Sequence, residues 1–134
     1  MKIINDVPPN YEEVKKHFDL TGISVVFTFG NIIYNPSKVE IGPEIIAHEE
    51  VHKAQQEEVG GPEKWWDKFL KDKEFRLQQE LAAYRTQYKF VDSLEHISRK
   101  QKDNFLDQIS FMLAGKMYGN LMTHPQAKSK IRNG

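Results

Sequence analysis

The hydrophobic positions of this chain change period several times, and each change marks an element. In Ile23-Ser24-Val25-Val26-Phe27-Thr28-Phe29, residues 23, 25, 27 and 29 alternate onto one face, which predicts a strand. Gly30-Asn31 supplies a two-residue turn, and Ile32-Ile33-Tyr34 returns as a second strand. Asn35-Pro36-Ser37 ends the hairpin. Two strands alone are marginal in water, so the hairpin needs helices or a third strand, from residues 2–4 or 38–41. Pro8-Pro9-Asn10 reads as a helix entry, with Asn10 as cap and Glu13 completing a capping box; Thr21-Gly22 breaks that helix.

Beyond the hairpin the period lengthens to that of helices. Pro43 suits the first turn of a helix over residues 43–58, and Gly60-Gly61 stops it. Pro62 opens a short helix with Trp65, Trp66, Phe69 and Leu70. Residues 74–91 form a longer helix with the apolar stripe Leu77, Leu81, Tyr84, Tyr88 and Val91. Ser98 and Gln101 form a capping box for a last long helix that runs to about residue 118 or beyond. Its face of Phe105, Ile109, Met112, Leu113 and Met117 reads as core, or as the seam of a homodimer. The pattern predicts an α+β fold: a mostly helical single domain over residues 1–134, with a small antiparallel sheet packed on the helices. A sparse basic tail from about residue 124 is expected to be flexible and solubilising.

Composition narrows the chemistry. Nineteen Lys and Arg balance nineteen Asp and Glu, so no global field points to nucleic acid or to an anionic membrane. There is no cysteine, which excludes disulfides, thiolate metal sites and a cysteine nucleophile. Any metal must be held by His, Asp or Glu. The N-terminal residues lack the apolar segment of a signal peptide, and no run is long enough to span a bilayer. The expected compartment is the cytoplasm.

Within the 43–58 helix, "IIAHEEVHKAQQ" places His48 and His52 one turn apart on one face, with Glu49 beside them. Ala47, Val51 and Ala54 form a separate small apolar stripe for packing, so the face of Ile45, His48, Glu49, His52 and Gln56 is expected to be an inward-looking site beside a core. Two imidazoles at this spacing can converge on one tetrahedral zinc ion. A carboxylate next to the first histidine can take a proton from zinc-bound water. With five histidines and twelve glutamates, chance alone yields this motif in roughly one such chain in sixty. Two ordinary surface histidines are therefore the weaker reading.

Zinc needs a third protein ligand. Glu80 borders the apolar stripe of the 74–91 helix, between Leu77 and Tyr84, and a carboxylate there is costly unless paired or bound to a metal. From the pattern alone, Glu80 reads equally well as a stripe-edge residue that snorkels to water or pairs with Arg76.

The segments "HEEVHKAQQ" and "FRLQQELAAYRTQ" resemble those of gluzincin-type metallopeptidases, especially small single-domain zinc peptidases of phages and bacteria. The resemblance covers about residues 48–87. It implies a zincin-like fold, zinc ligands His48, His52 and Glu80, and Glu49 as general base. Larger gluzincins often carry an Asp four residues after the ligand Glu, where this chain has Tyr84. They also supply a Tyr or His to the oxyanion. Tyr84 is the candidate for a supporting or oxyanion role, with His96 and His124 behind it.

The expected activity is zinc-dependent hydrolysis of a peptide or protein substrate by metal-activated water. The strand at 23–29 could lie along the cleft and pair with an extended substrate through its edge. One alternative is an inactive, zinc-stabilised protein-interaction domain with the same ligands; Glu49 argues against it, because a structural site needs no base. Another is a helical binding module without metal. Trp65 and Trp66 read as core between the ligand helices.

Overall fold

Gly30, at φ +63°, turns the chain between two short strands, β2 (Phe27–Phe29) and β3 (Ile32–Tyr34), paired antiparallel with Thr28 opposite Ile33. The computed structural model describes residues 1–134. The third strand comes from the N-terminus: β1 (Lys2–Ile4) lies on the other side of β3, in the order β1-β3-β2. It runs parallel to β3, so the sheet is mixed and not wholly antiparallel. A parallel neighbour needs a long crossover, and α1 (Tyr11–His17) lies within the connection that returns from β1 to β2. The expected strand at 23–29 shortens to its last three residues; residues 23–26 are irregular, and Ile23 is exposed. Asn10 makes no side-chain cap, so the expected capping box at α1 does not form.

Five further helices follow: α2 (Pro43–Glu58), α3 (Pro62–Lys71), α4 (Lys73–Asp92), α5 (Arg99–Leu113) and α6 (His124–Arg132), with a single 3-10 turn at Lys116–Tyr118 between the last two. The molecule is thus α+β and mostly helical. Gly60 and Gly61, at φ +100° and +127°, end α2 and redirect the chain into α3. Asp72 caps α4 by accepting from the Phe75 amide, and Ser98 and Gln101 form the expected box at α5.

The helix after the Ser98 box, α5, is shorter than its pattern suggested, ending at Leu113, and its buried apolar line is Leu106, Ile109 and Leu113. Met112 turns outward and is 55 % exposed. The basic end is not a free tail. Thr123 and Gln126 cap α6 with a second box, and Ala127 and Ile131 are wholly buried against α4 and α5. Lys130 points to water and Lys128 pairs with Asp107 Oδ1 at 2.6 Å, while the two apolar residues, four apart, face the core.

Two apolar clusters result. One joins Leu77, Leu81, Tyr84 and Tyr88 of α4 to α5, Tyr118 and α6. The other joins Val14, Phe27, Trp65, Trp66, Phe69 and Leu70. Both tryptophans are core, as expected. α2 packs mainly on α4, and the buried polar face of α2 lies between the two clusters. No helix is long and apolar enough to cross a membrane.

Candidate metal centre

α2 buries a polar face. His48, Glu49, His52 and Gln56 are all buried, whereas Ala47 and Val51 are only half-buried and Ala54 is exposed. The small apolar stripe is therefore not what seats this helix. A buried polar face is stable only if each group finds a partner, and here each does. Gln56 Nε2 donates to Thr28 O at 2.7 Å, and Gln56 Oε1 accepts from the Gly30 amide at 2.8 Å. The Thr28 hydroxyl donates to Glu49 Oε1 at 3.0 Å. Trp66 Nε1 also donates to Thr28 O, at 2.9 Å. The outer edge of β2 is thus covered at its centre by α2 and α3, which removes it as a pairing edge for an extended peptide.

The remaining groups converge. His48 Nε2 and His52 Nε2 are 3.2 Å apart. Glu80 Oε1, from α4, lies 3.2 Å from the first and 2.5 Å from the second. Donors at zinc–ligand distances near 2.0–2.1 Å and tetrahedral angles stand about 3.3 Å apart, so two of the three spacings already match. The shorter one is that of an ion pair between a protonated imidazole and a carboxylate. His48, Glu49 and His52 also lie close enough to one another to share an ion. Distance separates their roles: Glu49 Oε2 is 3.7 Å from His48 Nε2, and Oε1 is held by Thr28. Glu80 fits as the third ligand, and Glu49 sits beside the set.

The far side of each imidazole is fixed. His48 Nδ1 is 2.8 Å from Gln87 Oε1, and His52 Nδ1 is 2.8 Å from Gln55 Oε1. Gln55 is oriented in turn, because its Nε2 donates to Gln79 O. A carbonyl oxygen only accepts, so both rings donate from Nδ1. In the neutral ring this leaves the lone pair on Nε2, facing Glu80, which is the tautomer a metal requires. Glu80 Oε2 accepts from the Tyr118 hydroxyl at 2.5 Å, so Oε1 is the oxygen turned to the imidazoles.

Aromatic walls hold the rings in place. Tyr84 meets His48 edge-on at 4.7 Å, while Trp65 and Phe69 flank His52 at 5.1 and 6.5 Å. Trp65 is itself anchored by its Nε1 donating to Gln79 Oε1 at 2.7 Å.

The electrostatics follow from burial and pairing. Burial alone would lower the His52 pKa, but the charge and hydrogen bond of Glu80, with Glu49 behind, outweigh it and raise His52 to about 9. Burial likewise disfavours the Glu80 carboxylate; His52 and His48 reverse this and hold Glu80 well below the usual carboxylate range. Tyr84 and Tyr118 are pushed up, first by burial and then by the Glu80 charge, so both phenols stay protonated.

Each residue singled out in the sequence has a definite place. His48, Glu49, His52 and Glu80 come together. Tyr84 packs on His48; the partner of His48 Nδ1 is Gln87 and not the residue four after Glu80. Arg76 turns away from Glu80 and donates to the carbonyls of Phe69, Leu70 and Met117. His96 is exposed beyond α4, and His124 opens α6 near Asp107 O; neither lines the cleft. Sequence reasoning missed Thr28, Gln55, Gln87 and Tyr118. Gln87 lies two turns after Glu80 and Gln55 one turn after His52, so their helical offsets were a readable signal. Thr28 and Tyr118 had none.

The donor set opens into a cleft of about 380 Å³. The chain matches no family model, no curated protein and no solved structure.

Proposed function

We propose that this chain is a zinc-dependent peptidase, with His48, His52 and Glu80 as metal ligands and Glu49 as general base. One observation carries the reading. Three donors converge with their far sides already held, and a second carboxylate stands beside them, outside the set and facing a cleft. A metal held only for structure has all its positions closed, whereas a catalytic one keeps a position open to solvent or substrate.

Bound there, zinc would supply Lewis acidity and a water acidified to a pKa of about 7. The chain's residues do the rest. Thr28 fixes one oxygen of Glu49, leaving the other on the imidazole side to receive the water's proton and pass it to the leaving amine. Gln87 and Gln55 hold both rings in the ligating tautomer. Tyr118 and the two histidines keep Glu80 ionised and oriented. A cytoplasmic setting belongs to this proposal, and a chain without cysteine is compatible with it.

A second reading has one observation in its favour. The site lies between two apolar clusters, where an ion would staple α2 to α4 and stabilise an inactive interaction domain. Metal content and hydrolysis of a mixed peptide library, measured on wild type, His48→Ala, Glu80→Ala and Glu49→Gln, separate the two. The peptidase reading requires about one zinc per chain, lost in the first two variants, and turnover lost in Glu49→Gln with zinc retained. Zinc without turnover in wild type would favour the staple.

A further inference from the structure

We propose that the cleft over the candidate metal centre takes an internal, uncharged stretch of an extended substrate that carries large apolar side chains. This rests on the peptidase reading and names its substrate class.

The lining carries the argument. Of the twenty-five residues around the cleft, seventeen are hydrophobic. One wall is the irregular segment before β2, through Ile23, Val25 and Val26; the facing elements include α5, through Phe105, Ile109 and Met112. Ile23 and Met112 are 47 % and 55 % exposed, which places them on the rim. An exposed rim of this kind is a common mark of a binding site. The volume is at the low end for small-ligand pockets, enough for a few side chains and too small for a folded partner.

The charges settle what does not fit. No lysine, arginine or aspartate lines the cleft, and its glutamates are Glu49 and Glu80. Both are committed, one to Thr28 and the imidazoles' side, the other to His48, His52 and Tyr118. Away from the metal position, a substrate's terminal carboxylate therefore meets no side-chain cation, and a terminal ammonium meets no carboxylate beyond these two. Burying either end unpaired would be costly. An acidic or basic side chain meets the same obstacle. An apolar side chain instead displaces water from apolar walls, and the area removed from water favours binding. Gln108, exposed at the rim, and Ser24 supply neutral polar groups for a peptide backbone.

The test is peptide binding to the full chain as the zinc-loaded Glu49→Gln variant, which binds without turnover. Calorimetry gives the affinity, and Trp65 and Trp66, which line the cleft, give an independent fluorescence signal. The probes are hexapeptides with a central Phe-Leu, Lys-Lys or Glu-Glu pair, with both ends blocked or both free. Blocked Phe-Leu should bind at least about tenfold more tightly than either charged peptide, within the range that apolar pockets discriminate. Freeing its ends should not improve it. Ile23→Lys and Met112→Lys, both at exposed positions, should weaken it several-fold with zinc content unchanged. Equal affinity for charged peptides, tighter binding with free ends, absence of binding, or rim variants that bind like the parent would each overturn the proposal. Because the readout is binding, it can hold where wild type shows no hydrolysis, and it can fail where hydrolysis is demonstrated.

Discussion

The Tyr118 hydroxyl donates to Glu80 Oε2 at 2.5 Å, across 38 residues of sequence, and so decides which carboxylate oxygen faces the two histidines. Tyr118 ends the short 3-10 turn after α5, where Arg76 pins the neighbouring carbonyl of Met117 at 2.6 Å. Groups that orient a metal ligand typically change affinity by about 10- to 100-fold when removed. Tyr118→Phe keeps the ring in its apolar cluster and deletes only the donor. Zinc affinity should fall by about that factor, measured by competition with a chelating dye, with the far-ultraviolet circular dichroism unchanged. An unaltered affinity would remove Tyr118 from the site.

Glu49 and Thr28 form the second pair to separate. Glu49→Gln should retain zinc and lose hydrolysis by about 10²- to 10⁴-fold, the usual weight of a general base. Thr28 is 2 % exposed, and Thr28→Val preserves its shape while freeing one oxygen of Glu49. Its activity should fall less than that of Glu49→Gln, with zinc content intact. Loss of zinc in either variant would instead place Glu49 among the ligands.

The His52–Glu80 pair gives the metal-free protein a distinctive pH response. His52 has a folded pKa of about 9 against an ordinary value of 6.5, so its contribution is full below about 6.5 and is lost as pH rises through about 9. Glu80 is depressed from 4.5, so its contribution is present above about 4.5 and is lost as pH falls through its lowered value. The pair thus favours the folded state most between about 4.5 and 6.5. With chelator present, the melting temperature should decline from pH 6.5 to 9 more steeply than that of His52→Gln. Zinc should reverse the trend, because binding must displace the His52 proton and its stabilisation grows with pH. Parallel curves for wild type and His52→Gln would count against the pair.

The C-terminal helix should matter to stability although it contributes nothing to the metal site. Ile131 is wholly buried in the cluster formed with α4 and α5. Ile131→Ala should cost about 2–5 kcal/mol in chemical denaturation, the usual range for emptying a buried aliphatic site. A chain ended at residue 123 should lose more, since it also removes Ala127 and the bond from Arg85 Nε to Lys130 O. A change within experimental error would return this segment to a solubilising tail.

Local physics made much of this protein readable from sequence. His48 and His52 share a face because helical residues four apart must, and Pro43 and Gly60 mark the ends of that helix without reference to anything distant. Glu80 stood out because a carboxylate at the edge of an apolar stripe contradicts its surroundings. The hairpin turn at Gly30 and the capping box at Ser98 are equally local. Tertiary structure decided what depends on partners far along the chain. It set β1 parallel to β3, because strand direction follows from the crossover path and not from the three residues paired. It drew residues 124–132 onto the core, because Ala127 and Ile131 found an apolar surface built by other helices. It also seated α2 on its expected inward-looking polar face alone, leaving the stripe of Ala47, Val51 and Ala54 half-buried or exposed. The polar face is buried there because Thr28, Gly30, Gln87 and Glu80, from β2, the hairpin turn and α4, satisfy it, and no single-sequence period records that such partners will arrive.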